Sequence, residues 1–236
     1  SAGLDHLFEE SAGPFRQAPR VWMVAVAKPE VSGRLRRIES DSARRIFSEA
    51  NQNTPIPLTG MSPLGHLQRR MRDPILGLRR WTVQTNHFDN DRIYGCRMSI
   101  HFDGSVTVAM AVAGDRGTDN RSEVQIRDVE AVLVDLAGLA LTASRELSIV
   151  GGYAIKASLL RDGSDPISLL EPSSDPRFGG FHDPAPQPLA GCVPVAGMIP
   201  TDQGPESVLD GLREVALDLF SQAGSETIQL LKLPDL

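Results

Sequence analysis

Arg80 to Ala113 reads R-W-T-V-Q-T-N-H-F-D-N-D-R-I-Y-G-C-R-M-S-I-H-F-D-G-S-V-T-V-A-M-A-V-A, and this stretch decides the fold. β-branched and aromatic residues dominate three runs, Arg80 to Phe88, Ile93 to Phe102 and Ser105 to Ala113, which the turn residues Asp89-Asn90-Asp91 and Asp103-Gly104 separate. Asp-Gly between two such runs predicts a type I′ hairpin, whose two central residues both need positive φ. The expectation is an antiparallel meander. Beyond a polar loop, Ile126, Val129, Leu133, Leu136, Ala137, Ala140, Ser144 and Leu147 recur at helical spacing, with Ser122-x-x-Gln125 read as a capping box in front of them. Val132, Val134, Leu139 and Leu141 widen that stripe. A helix so broadly apolar requires cover from a sheet, or from a sheet and a second subunit, so a homodimer is expected.

Working outward, Arg20 to Ala27 (R-V-W-M-V-A-V-A) is a continuous apolar run of strand length stopped by Lys28-Pro29. Ser32 to Ala50 carries a helical stripe, Asn51 to Pro63 is a proline-rich loop, and Leu64 to Arg72 reads as a short helix. After Gly151-Gly152, Tyr153 to Leu160 reads as another strand. Residues 162–200 are rich in Pro, Gly and Asp, an ordered excursion or a lid with a short strand at Cys192 to Val195. Pro205 to Gln222 is an amphipathic helix capped by Gly224, and Thr227 to Leu233 reads as an edge strand. The class is α+β: a meander sheet packed against a long buried helix, with a second, C-terminal amphipathic helix. Residues 1–13 read as an acidic lead before a single domain spanning 14–236, and the absence of an initiator Met reads as a piece of a longer protein.

The 236 residues are 41% hydrophobic and 23% charged, which excludes collagenous, mucin-like and wholly disordered chains. The most apolar stretch, Ala131 to Ala143, has Asp135 at its centre, so no membrane span is expected. Cys96 and Cys192 fit no paired-ligand spacing and read as reduced thiols of a cytoplasmic protein, with a disulfide as the alternative. A net charge of −6 hides an asymmetry: Pro14 to Arg80 holds thirteen Lys/Arg against five Asp/Glu, and the rest of the chain from Trp81 holds eleven against twenty-two. Arg34, Arg36, Arg37, Arg44 and Arg45 are therefore the candidate nucleic-acid-binding residues, because guanidinium forks hold phosphate bidentately. The competing reading pairs them with the chain's own acids. An acidic chain repels a polyanion at long range, which limits it to weak, non-specific nucleic-acid association.

Reactive motifs are missing. Gly60 to His66 lacks the Lys-Ser/Thr of a phosphate loop, Gly191 to Gly197 fails the dinucleotide fingerprint, and there is no G-x-S-x-G, H-E-x-x-H or S-x-x-K. No catalytic residue, metal or cofactor is expected. His-Phe-Asp occurs at His87 to Asp89 and at His101 to Asp103; the two form an acid–base set only if they converge, whereas a meander places them at opposite ends of the sheet. Phe181-His182-Asp183 reads as a turn, and Trp22 and Trp81 read as core anchors beside Arg20 and Arg80.

The succession R-V-W-M-V-A-V-A-K-P, H-F-D-G-S-V, I-R-D-V-E-A-V-L-V-D-L-A-G-L-A, V-G-G-Y-A-I-K-A-S-L-L, D-P-R-F and a closing amphipathic helix resembles a region of actinobacterial proteins that follows a Schlafen/Alba-type domain described as ATP- or nucleic-acid-binding. The resemblance implies a flanking nucleic-acid-binding domain and supplies no catalytic residue. Three functions stay open. The first is a non-enzymatic sensing or protein-interaction domain of a larger regulatory protein. The second is a nucleic-acid-binding domain using the arginine-rich third. The last is a hydrolase-type enzyme with a site assembled from distant residues such as His87, His101, Asp103 and His182.

Overall fold

The computed structural model describes residues 2–31, 37–58, 62–65, 73–89, 92–113, 121–163, 165–173 and 182–232. The chain begins with α1 (Ala2–Ala12), β1 (Trp22–Pro29) and α2 (Ser40–Glu49), the last extended by a 3-10 turn at Ala50–Gln52. Next come β2 (Ile75–Gly77), β3 (Arg80–Asp89), β4 (Arg92–His101), β5 (Val106–Ala111), β6 (Glu123–Gln125) and α3 (Ile126–Leu147). The last third adds β7 (Tyr153–Leu160), β8 (Ser168–Pro172), β9 (His182–Pro184), β10 (Val195–Ile199) and α4 (Pro205–Ser221). The main sheet has seven strands in the order β10-β7-β1-β5-β4-β3-β2, every neighbouring pair antiparallel, and β6-β8-β9 form a small second sheet. This is an α+β fold.

The expected meander is present as β3-β4-β5, but β1 is the pivot of the sheet. It lies between β5 and β7, pairing Val24 with both Ala109 and Ser158. Met23, Ala25 and Ala27 point into the principal core with α2, α3 and α4, while Val24 and Val26 point into a second cluster under α1. Burial on both faces is why this strand reads as unbroken apolar sequence rather than as an alternation. The segment 1–13, read as a lead outside the domain, holds a helix instead: Leu4, Leu7, Phe8 and Ala12 make one buried face packed on β1 and β7.

Four local expectations are corrected. At Asp103-Gly104 the turn is not type I′: Gly104 alone has positive φ (+84°), its N–H donates to the His101 carbonyl at 2.9 Å, and His101 pairs with Ser105. That is a three-residue connection closed by a glycine bulge, with Asp103 Oδ1 accepting the Ser105 N–H at 3.0 Å. The capping box fails because Gln125, not Ser122, is the N-cap of α3, and Glu123–Gln125 is committed to pairing with β8. Residues 192–194 are not strand, because the Gln222 side-chain amide takes both the N–H and the carbonyl of Val193, and β10 starts only at Val195. Residues 227–232, which are what is described of the edge strand expected over Thr227 to Leu233, are not strand either. The Glu130 carboxylate on α3, fully buried, accepts the N–H groups of Gln229 (3.0 Å), Leu230 (2.8 Å) and Leu231 (3.4 Å), strapping this segment to the core.

The expected helix over residues 32–50 is confirmed only for Ser40–Glu49, residues 32–36 lying outside the described set, and a helical turn at 63–65 is what is described of the one expected over 64–72. Residues 182–184, expected as part of a turn, pair with β8. Gly224 does close α4 as expected: its φ is +71°, its N–H donates to Ser221 and that of Ser225 donates to Phe220.

The premise for a dimer through α3 falls. The circumference of that helix is covered by the same chain, with β1 and β5 on one side and α2, the Ala50–Gln52 turn, α4, β6 and β8 around the rest. Two glycines permit this crowding. A Cβ at Gly138 would meet the Ala50 carbonyl oxygen at 2.6 Å, and one at Gly211 would meet that of Met198 at 2.2 Å. Gly138 thus seats residues 50–54 on α3, and Gly211 lets α4 press on β10. Cys96 and Cys192 are free thiols. The Cys192 carbonyl accepts from Ser158 on β7, three strand positions from β4, about 14 Å at the usual spacing and beyond disulfide reach. Among the described residues, no helix is long and apolar enough to cross a membrane.

Candidate functional site

Of the five candidate arginines, Arg37, Arg44 and Arg45 are among the described residues, and Arg34 and Arg36 lie outside them. Arg44 Nε donates to Asp73 at 3.1 Å and its Nη1 lies 3.6 Å from Asp41; Arg45 Nε donates to Glu146 at 3.1 Å. Arg37 lines a cleft of about 240 Å³ that also presents Glu39, Asp103 and Glu146. Three carboxylates around one guanidinium make that cleft a poor host for an anion. Asp103 stays ionised there: burial opposes its charge, but hydrogen bonds from Lys28 (2.9 Å) and Ser105, with the attraction of Lys28, outweigh burial and hold the carboxyl below its usual range.

The backbone does not gather His87, His101 and His182. In the β3–β4 register His101 faces Arg80 and His87 faces Tyr94, seven positions away, about 24 Å along the strand. His182 belongs to β9 in the other sheet. Trp81 donates its indole N–H to the Ile38 carbonyl at 2.7 Å, and Trp22 stacks on Phe15 with centroids 4.3 Å apart; both rings are engaged in packing. Among the described residues no group of three His, Cys, Asp or Glu side chains is placed to hold a metal ion.

A larger cleft, of about 600 Å³, opens where α3 ends and α4 begins. Three chain segments converge on it. Asn53, Thr54 and Pro55 form one wall, held against α3 through Gly138 and through the Asn53 amide, which donates to Thr142 Oγ1 at 2.9 Å and to the Glu49 carbonyl at 3.2 Å. The end of α3 supplies Leu141, Ser144, Arg145, Ser148, Ile149 and Val150. Opposite them stand Thr201, Gln203, Pro205 and Val208, positioned by the packing of α4 on β10.

Arg145 is the sole charged group among the described lining residues. Its side chain has no hydrogen-bond or ion-pair partner among the described residues, in contrast to Arg44 and Arg45. Several hydroxyl protons are already committed: Ser144 donates to the Ile149 carbonyl at 2.9 Å, Thr54 to Asn51 at 3.0 Å and Thr201 to Gly151. Both amide protons of Asn53 are used as well, so its Oδ1 and those three hydroxyl oxygens are left as acceptors among the lining residues. Pro55, Leu141, Ile149, Val150, Pro205 and Val208 supply apolar contact. The lining thus complements a small molecule with one anionic end, hydrogen-bond donors and an apolar body. Among the described residues it presents no carboxylate, imidazole or thiol.

The rim is shaped by how α3 terminates. Ser148 sits at φ +53° in the left-handed region, with its N–H donating to Arg145 and that of Ile149 donating to Ser144, a closure that favours glycine. Ser148→Gly should therefore stabilise the fold by about 0.5–1 kcal/mol. A chemical-denaturation midpoint at or below the wild-type value would contradict that geometry.

No family model matches the chain, and no curated protein or solved structure matches it either.

Proposed function

We propose that this chain is a non-enzymatic sensing domain that binds a small organic acid in the cleft between the end of α3 and the start of α4, within a larger regulatory protein. One observation carries the reading. A guanidinium without a partner among the described residues stands alone in a mixed polar and apolar cleft of about 600 Å³, a volume within the range of small-molecule sites. Burying a carboxylate against Arg145 with the donors and acceptors around it would give a charge-assisted contact and orient the rest of the molecule. The nucleic-acid reading gains nothing from Arg44 and Arg45, whose guanidinium groups already face carboxylates. A flanking nucleic-acid-binding domain, as the sequence resemblance implies, would give such a sensor an output.

The test is a thermal-shift screen followed by calorimetry with a panel of hydroxy- and amino-carboxylic acids. At least one member should raise the melting temperature. Arg145→Gln should weaken that member by about ten- to a hundredfold, as expected when a hydrogen bond to a charged group is lost. A panel with no binder, or a binder equally tight in Arg145→Gln, would overturn the assignment.

A further inference from the structure

The outer face of the main sheet is divided. α1 covers β1 and β7 with apolar side chains, but where its last turn reaches toward β5 and β4 the sheet becomes polar. A small pocket of about 40 Å³ lies at this seam, walled by Glu10 of α1, Arg80, Arg97, Ser99 and Thr107 of the sheet, and closed at its base by Val24. This face is separate from the α3–α4 cleft and its ligand is a separate question.

Arg97 is half-buried, yet its guanidinium makes no hydrogen bond or ion pair among the described residues. Burial disfavours the Arg97 cation, the like charge of its neighbour Arg80 adds to that, and the charge of Glu10 offsets it only in part. A guanidinium has five donors, and placing it half out of water beside another cation, with Glu10 near but no described acceptor within hydrogen-bond distance, is unfavourable unless something fills the gap. Arg80 shows what does so on its side: Glu10 Oε1 accepts from it at 2.7 Å. The carboxylate of α1 thus occupies one half of an anion site, and the Arg97 half is left open. Ser99 and Thr107 stand beside it, and Ser99 shares a 2.9 Å hydrogen bond with Thr82. At about 10–15 Å³ per water-sized group, the pocket has room for about three oxygen atoms, so a tetrahedral oxyanion would seat three of its four oxygens there and turn the fourth toward solvent.

We infer that this seam is a phosphate site, in which Arg97 and the Ser99 and Thr107 hydroxyl groups hold a phosphoryl group while Glu10 competes for Arg80. Two consequences distinguish it from a chance gap. Removing the cation at 97 abolishes the site. Removing the competing charge at 10 releases Arg80 to the ligand and tightens binding.

The probe is inorganic phosphate, titrated by NMR chemical shift or calorimetry at constant ionic strength against chloride, with acetate as the carboxylate arm. Wild-type protein should show saturable phosphate binding. Arg97→Gln should weaken it about tenfold or more and Glu10→Gln should strengthen it several-fold. Arg44→Gln, an equal change of net charge on α2, should leave it unchanged. Each variant is first shown to keep the wild-type thermal unfolding transition, and Glu10→Gln provides a test in the direction of gain should Arg97→Gln unfold. Absence of saturable phosphate binding, equal binding in wild type and Arg97→Gln, or acetate binding as tightly as phosphate would each overturn the inference.

Discussion

Between pH 4 and pH 8, wild-type protein is expected to lose about 4 kcal/mol of stability relative to Asp135→Asn. Asp135 lies on α3, fully buried, with Oδ2 accepting the Leu64 N–H at 2.8 Å and Oδ1 without a hydrogen-bond partner among the described residues. Burial pushes its carboxyl up to about 7 from the ordinary 3.8, against the opposing hydrogen bonds of Leu64 and Ser62. A raised acid holds its proton in the folded state at pH values where the unfolded chain has released it. Stability from this group is thus fully present below the unfolded value, falls as pH rises, and stops falling above about pH 7. Glu130, which burial also raises, contributes with the same sign to both proteins and cancels in the difference. At pH 4 the variant should be the less stable of the two, because an amide brings an extra buried donor, costing about 1–3 kcal/mol. At pH 8 the order should reverse. Urea titrations across that range check the crossing, and parallel profiles would show that Asp135 is not desolvated as described.

Leu133→Ala is expected to destabilise the protein by about 2–5 kcal/mol, through lost transfer energy and the cavity left behind. Leu133 and Leu136 are both fully buried in the principal core, on the helix that packs against β1 and β5. For a chain of this size that corresponds to a fall in melting temperature of roughly 4–20 °C. Leu141, half-buried on the same helix beside the cleft, is the internal comparison. Its truncation should cost less, and an unchanged melting temperature in Leu133→Ala would remove that residue from the core.

The elements legible in the sequence are those whose pattern is local. Tyr153–Leu160 and Ile126–Leu147 match the expected spans, and the meander matches within two residues at either end of each strand, since alternation, helical spacing and turn residues all sit within the segment itself. α1 was equally legible in principle: Leu4, Leu7, Phe8 and Ala12 carry a helical spacing that the three acids of the same stretch obscure. What escapes is whatever depends on distant partners. Glu130 binds a segment about a hundred residues away, Arg45 meets Glu146, and Gln222 satisfies the backbone of Val193. The α3–α4 cleft escapes for the same reason. Its walls come from residues 53–55, 141–150 and 201–208, none of which carries a motif, and an arginine in the last turn of a helix is ordinary enough to conceal Arg145.

The position of β1 also sets the order in which this chain can be assembled. β1 is an interior strand, third of the seven in order, and its Val24 waits 85 residues for Ala109 and 134 for Ser158. Until both arrive, a run that is apolar on both faces has unpaired edges on both sides. Loop closure over such spans must precede any reward from the contacts, which makes for slow folding and a long-lived intermediate prone to self-association. A cell producing this protein has reason to shelter Val21 to Ala27 during synthesis, and refolding from denaturant favours dilute solution.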